Sequence, residues 1–138
     1  MWLSAFAVAG ALCLSMALIE AWLLVALLAP TGETLQRLIP NRADLIRSHI
    51  DYLMMALFLF VFYGLCRLTG AAPADWLIIA ACVGAFFNPF AFLVHAVRPD
   101  FKVAPPAALF AAIISSCVAT TIGFAASAWT IAVAVVFS

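Results

Sequence analysis

Apolar residues fall into four long blocks separated by three more polar connections. The blocks cover residues 2–29, 50–68, 76–97 and 107–137, and each is about as long as the roughly 20 residues that cross a bilayer as a helix. Alternation of apolar and polar residues, the pattern of membrane-barrel strands, is absent. We therefore predict an all-α, integral membrane four-helix bundle that forms a single transmembrane domain over residues 1–138.

The connections indicate where the helices begin. The segment "NRAD" is typical of a helix start, with Asn41 as N-cap and Asp44 as the third helical residue. Asp75 is placed to cap a helix that begins at Trp76. The predicted helices are 2–29, 42–69, 76–97 and 107–137. Because the connections are short, we expect sequential helices to be antiparallel neighbours.

Composition agrees with a membrane location and excludes several classes of function. Hydrophobic residues make up 69% of the chain and charged residues 9%, which is not the composition of a soluble domain. The formal net charge is zero, so the basic surface that binds nucleic acid is missing. The four cysteines lie in or at the end of apolar blocks without a C-x-x-C pair, which favours buried thiols over disulfides or a zinc site.

Basic residues predict the orientation in the membrane. Five of them lie in or beside the first and third connections, whereas Arg67 alone lies beside the second; the five are Arg37, Arg42, Arg47, Arg98 and Lys102. Since cytoplasmic loops are enriched in lysine and arginine, both termini are expected outside the cytoplasm, in a bacterial-type inner membrane.

Small residues recur at four-residue spacing in the first and last helices, and the positions are Ala5, Ala9, Ser115, Ala119, Gly123 and Ser127. Such stripes let helix backbones approach closely in lipid. They serve packing within the bundle or between copies, and because four helices bury little surface we expect a homo-oligomer.

Glu20 is an acidic residue in the body of the first helix. Ionisable side chains are costly in hydrocarbon and are functional candidates by default. Glu20 is either a proton or cation carrier, or a carboxylate paired with a site residue, or a structural carboxyl bonded to a neighbouring helix.

The second helix carries a polar head followed by a stripe of rings. Spacings of three and four residues place His49, Tyr52, Ala56, Phe60 and Tyr63 on one face. A histidine with rings around it and a small residue beside it suits a planar ligand or a metal. The alternatives are a hydrogen-bonding histidine and ordinary ring packing.

Arg47 and Asp51 precede and follow that histidine, and they are spaced for an i,i+4 ion pair at the helix start.

The third helix contains Asn88 followed by Pro89. Proline removes a backbone donor and frees a carbonyl near residue 85. Asn88, Phe92 and His95 share one face, and this polar patch is expected either to meet the first one across the bundle or to make interhelical bonds.

The segments "RSHIDYLMMALFLF" and "GAFFNPFAFL" resemble the small four-helix membrane isomerases of the hydroxylaminobenzene mutase and styrene oxide isomerase group. The resemblance covers about the middle third of the chain, together with its length and helix number. His49 resembles the family's haem-binding histidine, Asp51 an acidic residue two positions later in the mutases, and Asn88 the family's asparagine.

This resemblance implies a homotrimer that holds haem b between subunits, with His49 as the iron ligand. It also implies a redox-neutral rearrangement of a small apolar aromatic substrate, such as an aryl epoxide or an arylhydroxylamine. From their positions on the helix faces and in the membrane, we expect Phe60 and Phe92 beside the cofactor and Asn88, Tyr52 and Glu20 among the catalytic groups. The chain differs from the family at three polar positions, where it has Met55, Gly84 and Phe92.

Two other classes of function are compatible with the sequence. A small proton-coupled transporter would use Glu20 as its coupling carboxylate. A non-catalytic accessory subunit would use every polar group for packing against a partner.

Overall fold

The four apolar blocks form four long helices. The structure is a computed structural model that describes residues 2–29 and 32–137. Its helices are α1 Ser4–Ala26, α2 Glu33–Leu38, α3 Arg42–Thr69, α4 Asp75–Val97 and α5 Ala107–Val136, with a 3₁₀ turn at Pro99–Lys102. Helices α1, α3, α4 and α5 are long and apolar enough to cross a membrane, and the described residues contain no strand. The prediction of an all-α four-helix bundle is confirmed.

Helix α3 begins and ends at its sequence signals. The Oδ1 atom of Asn41 accepts a hydrogen bond of 3.3 Å from the backbone nitrogen of Asp44, which confirms the predicted cap. The helix ends at Gly70, whose φ of 70° lies in the left-handed region that glycine adopts without strain. Helix α4 instead begins at Asp75 itself, so that its N-cap residue is Ala74 and no side-chain capping bond forms there. The prediction that Asp75 caps a helix from Trp76 is therefore wrong.

The first connection packs against one end of the bundle. Helix α1 ends at Ala26, earlier than predicted, and the short helix α2 follows it. Ile39 is buried with Leu27, Leu45 and Ala96, and the backbone nitrogen of Asn41 donates to the oxygen of Ala96 at 3.2 Å. These contacts bring the start of α3 beside the last turn of α4, and we call this the Asn41 end of the bundle.

Helices α1 and α3 form one closely packed pair and α4 and α5 form another, while α3 packs against α4 between them. The α4–α5 contact depends on glycines. A Cβ atom at Gly84 would meet the backbone nitrogen of Thr120, and one at Gly123 would meet the backbone of Ala81. Only part of the predicted stripe on α5 faces inward, because Gly123 is buried and Ser115 is exposed.

The outer faces of the long helices are apolar. Large side chains such as Trp22 and Trp129 are 74% and 72% exposed. Apolar side chains on the outside of a hydrophobic bundle face lipid or other membrane-embedded protein. The chain is therefore a multi-pass membrane protein.

Candidate functional site

His49 lies at the edge of the α1–α3 contact and is half-buried. Its Nδ1 atom is 2.9 Å from the carbonyl oxygen of Ala17 on α1. A carbonyl oxygen only accepts hydrogen bonds, so Nδ1 carries the hydrogen. In the neutral ring the lone pair is then on Nε2, which has no hydrogen-bond partner within residues 2–29 and 32–137. Metal-binding histidines are commonly oriented by a bond of this kind from the other ring nitrogen.

Glu20 lies at the packed face of α1, close enough to His49 for an electrostatic interaction. Its side chain is only 1% exposed, and its Oε1 atom accepts a hydrogen bond of 2.7 Å from the hydroxyl of Ser48. The other oxygen, Oε2, has no partner in the described part of the chain. A buried polar atom without a partner is costly, so a proton, a water molecule or a ligand bound at Oε2 would be stabilising.

Ser48 connects this carboxyl group to the proline of α4. Its hydroxyl also lies 3.2 Å from the carbonyl oxygen of Pro89, and its single hydrogen serves one of the two acceptors at a time. Ser48 is not among the site residues predicted from the sequence. The signal was present, because Leu45, Ser48 and Tyr52 follow the helical spacing of a buried face.

The inward face of α3 therefore contains Ser48, and His49 lies at the border of that face. The stripe predicted to begin at His49 begins one residue earlier, at Ser48. This shift leaves the imidazole beside the surface of the protomer, where a group bound on the outside of α1 and α3 can reach it.

Tyr52 is fully buried, and its hydroxyl donates to the carbonyl oxygen of Phe86 at 3.0 Å. The tyrosine ring is tilted against the ring of Phe86, with 5.9 Å between centroids. Its hydroxyl already has a partner, and the group bonds α3 to α4. Nearby, the thiol of Cys13 is 3.9 Å from the carbonyl oxygen of Ala85, the carbonyl predicted to be freed by Pro89.

Asn88 is on a different face of α4. Its Oδ1 atom accepts a bond of 3.1 Å from the thiol of Cys117 on α5. Asn88 therefore does not meet the polar groups around His49 within one chain, and the expectation that the two patches meet across the bundle is wrong. The alternative, an interhelical hydrogen bond, describes the contact that forms.

The two phenylalanines expected beside a cofactor also lie apart from His49. Phe60 is eleven residues along α3, roughly 16 Å at the helical rise, and its ring packs over Gly10 of α1. Phe92 lines a cavity with His95 near the Asn41 end. A single chain therefore supplies a histidine but does not bring Phe60 and Phe92 around it.

The prediction that Arg47 forms an ion pair with Asp51 is also wrong. Arg47 Nη1 instead bonds to Oδ1 of Asp44 at 3.2 Å. The carboxylate of Asp44 is fully buried and also pairs with Lys102 at 2.5 Å. Asp44 is therefore more than a capping residue, because it joins the start of α3 to the connection that follows α4.

An apolar cavity of about 360 Å³ lies on the α4–α5 side and is lined by Val83, Phe87, Phe90, Ile113 and Ser116 among others. Phe90 follows Pro89, whose carbonyl oxygen is bonded to the residue before His49. The cavity and His49 therefore lie at a similar depth along the bundle, the cavity on the α4–α5 pair and His49 on the α1–α3 pair.

The described residues contain no group of three His, Cys, Asp or Glu side chains arranged to hold a metal ion. The chain matches no protein-family model, no curated protein and no solved structure.

Proposed function

We propose that this chain is a membrane haem-b protein of the isomerase type, with Nε2 of His49 as the iron ligand. The observation that carries this proposal is the hydrogen bond from Nδ1 of His49 to the oxygen of Ala17. It fixes the ring and directs the lone pair of the neutral imidazole to Nε2, the nitrogen without a partner in the described chain.

The chain provides the iron ligand that a haem needs, but a second copy of the chain is required to form the walls of the cofactor site. A porphyrin provides four iron ligands itself, so a single histidine is sufficient from the protein. The walls of the cofactor site must come from elsewhere, since Phe60 and Phe92 are separated from His49 in one chain. We therefore place the cofactor between protomers.

A homotrimer, the assembly that the family resemblance implies, is the one that we propose for this purpose. A ring of three copies uses two different faces of each protomer. The chain has two such faces at similar depth, one at α1–α3 with His49 and one at α4–α5 with the 360 Å³ cavity. In a ring, the histidine of one copy would face the cavity of its neighbour.

The bound cofactor would supply a Lewis-acidic iron that polarises an oxygen atom of the substrate. The chain's own residues have the remaining roles. His49 holds the cofactor, Ala17 orients the imidazole, and the apolar helices exclude water. Glu20 and Ser48 form the buried polar pair nearest to His49, where Glu20 can hold a proton.

In this chain, the positions that are polar in the family do not provide polar groups to the site. Gly84 is used for close packing against Thr120, and Met55 packs against the core. We therefore propose a substrate with a small apolar aromatic body, such as an aryl epoxide or an arylhydroxylamine, whose polar atom is not oriented by residues 55, 84 and 92.

The test is an isomerisation assay without an electron donor. Purified haem-loaded protein is incubated with aryl epoxides and arylhydroxylamines, and products of unchanged mass are identified by chromatography. We expect an isomer from wild type, none from His49→Ala, and at least tenfold less from Glu20→Gln. Absence of any isomer from haem-loaded wild type would refute the enzymatic part of the proposal.

A proton-coupled transporter is the second candidate, and the unpartnered Oε2 of Glu20 favours it. In this case Glu20→Gln would abolish proton-driven uptake into proteoliposomes, while His49→Ala would retain it. The two candidates are therefore distinguished by which of the two variants loses function.

We also propose an inner-membrane location with both termini outside the cytoplasm. Five basic residues lie at or near the Asn41 end of the bundle, and Arg67 lies at the other end. Reporter fusions test this orientation: a periplasmic phosphatase fused at the C-terminus should be active, and a cytoplasmic fluorescent protein should not. The reverse pattern would invert the proposed topology.

A further inference from the structure

A cavity of about 350 Å³ lies at the end of the bundle opposite the Asn41 end. The last turn of α3, the connection over residues 70–73 and the first turn of α4 form most of its lining, together with Leu3 ahead of α1. Leu3 and Ile78 are apolar parts of this lining, whereas Arg67 and Asp75 are charged parts. The cavity therefore combines apolar walls with one cation and one carboxylate.

The two charged residues of this cavity are accessible and unpaired. Arg67 and Asp75 are both exposed, and neither side chain forms an ion pair with another residue within 2–29 and 32–137. At the other end of the bundle, by contrast, the exposed side chain of Arg98 is paired with Asp100. Within the described chain, the guanidinium of Arg67 and the carboxylate of Asp75 are both available to a ligand.

Exposed tryptophans indicate the depth of this cavity in the membrane. Gly123 of α5 lies against Ala81 of α4. Trp76 and Trp129 are both displaced from this contact toward the cavity end, by roughly 8 and 9 Å at the helical rise. Their side chains are 62% and 72% exposed, and tryptophan is enriched where a membrane meets water. Because Asp75 precedes Trp76, the charged wall of the cavity lies at the level of lipid headgroups.

We propose that this cavity binds phosphatidylethanolamine, a zwitterionic phospholipid with a primary ammonium group. The guanidinium of Arg67 binds the phosphate through charge-assisted hydrogen bonds. The carboxylate of Asp75 accepts a hydrogen bond from the ammonium group, and apolar lining residues such as Leu3 contact the start of an acyl chain. This site is at the opposite end of the bundle from His49 and does not depend on the proposed catalytic function.

The pair of opposite charges distinguishes this headgroup from two others. Phosphatidylglycerol would bring a phosphate to Arg67 but no cation to Asp75, whose carboxylate would then repel the phosphate. Phosphatidylcholine carries a cation without N–H groups, so its headgroup cannot donate a hydrogen bond to the carboxylate. A primary ammonium group, like that of lysine, has three donors. Phosphatidylethanolamine is therefore the phospholipid of the three that satisfies both charged residues.

The experiment compares the binding of the three phospholipids by native mass spectrometry in a neutral detergent. Thermal stability is measured with each lipid and with glycerophosphoethanolamine, the soluble headgroup without acyl chains. The test variants are Asp75→Asn and Arg67→Gln, and Asp75→Glu restores the carboxylate. The control is Asp100→Asn, which changes an exposed carboxylate at the other end of the bundle. The preference between lipids is a ratio within one variant, so a general loss of stability does not imitate the expected result.

We expect wild type and Asp100→Asn to bind phosphatidylethanolamine about tenfold more tightly than the other two lipids. Asp75→Asn should lose this preference and Asp75→Glu should keep it, while Arg67→Gln should bind phosphatidylethanolamine about tenfold more weakly. Equal binding of phosphatidylethanolamine and phosphatidylcholine by wild type would overturn the proposal, as would a preference that survives in Asp75→Asn. Equal stabilisation by glycerophosphoethanolamine would also overturn it, because the site would then be one for a free zwitterion.

Discussion

The Nδ1 atom of His49 on α3 donates a hydrogen bond of 2.9 Å to the carbonyl oxygen of Ala17 on α1. This bond joins two helices and determines which ring nitrogen is available to a ligand. It therefore links the packing of α1 and α3 to the chemistry that we propose for the site. The partner is a backbone atom, so the bond depends on how the helices pack rather than on the side chain at residue 17.

The tautomer of His49 is a direct prediction. The chain has two histidines, His49 and His95, so the variant His95→Ala contains a single imidazole. Its ¹⁵N NMR spectrum without cofactor, at a pH where the ring is neutral, should show the hydrogen on Nδ1 and the lone pair on Nε2. A hydrogen on Nε2 would contradict the orientation described here.

The close approach of α4 and α5 predicts that glycine replacements differ by position. Gly84→Ala and Gly123→Ala should each destabilise the bundle by about 1–3 kcal/mol, because the new methyl group meets backbone atoms of the neighbouring helix. Gly64→Ala is the matched control, since a Cβ atom there meets nothing within 4 Å. It should be neutral or stabilise α3 by up to about 1 kcal/mol.

Unfolding titrations in mixed detergents measure these differences. Equal effects at all three glycines would show that helix propensity, rather than the α4–α5 contact, determines the outcome.

The bond between Ser48 and Glu20 predicts coupled effects on stability. Ser48→Ala removes the donor found for the buried carboxyl group and should cost about 1–3 kcal/mol. The control Ser15→Ala should change little, because Ser15 is exposed and bonds to its own helix.

The double variant Glu20→Leu/Ser48→Ala extends this test. Removing both polar partners should cost less than the sum of the single changes, since the buried carboxyl group is no longer there to lose its donor. Strictly additive free energies of unfolding would show that the two side chains do not interact in the membrane.

Two of the ion pairs near the Asn41 end, Lys102 with Asp44 and Arg98 with Asp100, predict a contrast between lysine and arginine variants. Lys102→Met removes a partner of the fully buried carboxylate of Asp44 and should destabilise the protein by about 1–3 kcal/mol. Arg98→Met removes an exposed pair that solvent screens, so it should change the stability little. A larger loss from Arg98→Met than from Lys102→Met, measured by thermal unfolding, would contradict this ranking.

The helices were predictable because membrane spans have a simple physical requirement. Length and hydropathy identify four segments, and the Asn41 cap and the proline at residue 89 have local effects that a single sequence contains. The additional helix α2 was not predicted, since six residues in a connection form a helix only through contacts such as the bond from Gln36 to the oxygen of Leu27.

The site was only partly predictable because its contacts join different helices. His49 and Glu20 were identified from their residue types and positions. Ser48, however, carries only a single hydroxyl group. Its role can be recognised only once it is known that α1 and α4 both pack against it. The rotation of α4 is also not readable from one chain, so the sequence did not reveal that Asn88 faces Cys117 rather than His49.

The most direct test of the central claim is an absorption spectrum of the protein purified in mild detergent from haem-replete cells, recorded beside His49→Ala and His95→Ala. The account predicts a Soret band in wild type and in His95→Ala, and its loss in His49→Ala with the oligomer intact. A colourless, folded wild type, or a Soret band that persists without His49, would contradict the proposal that His49 binds haem.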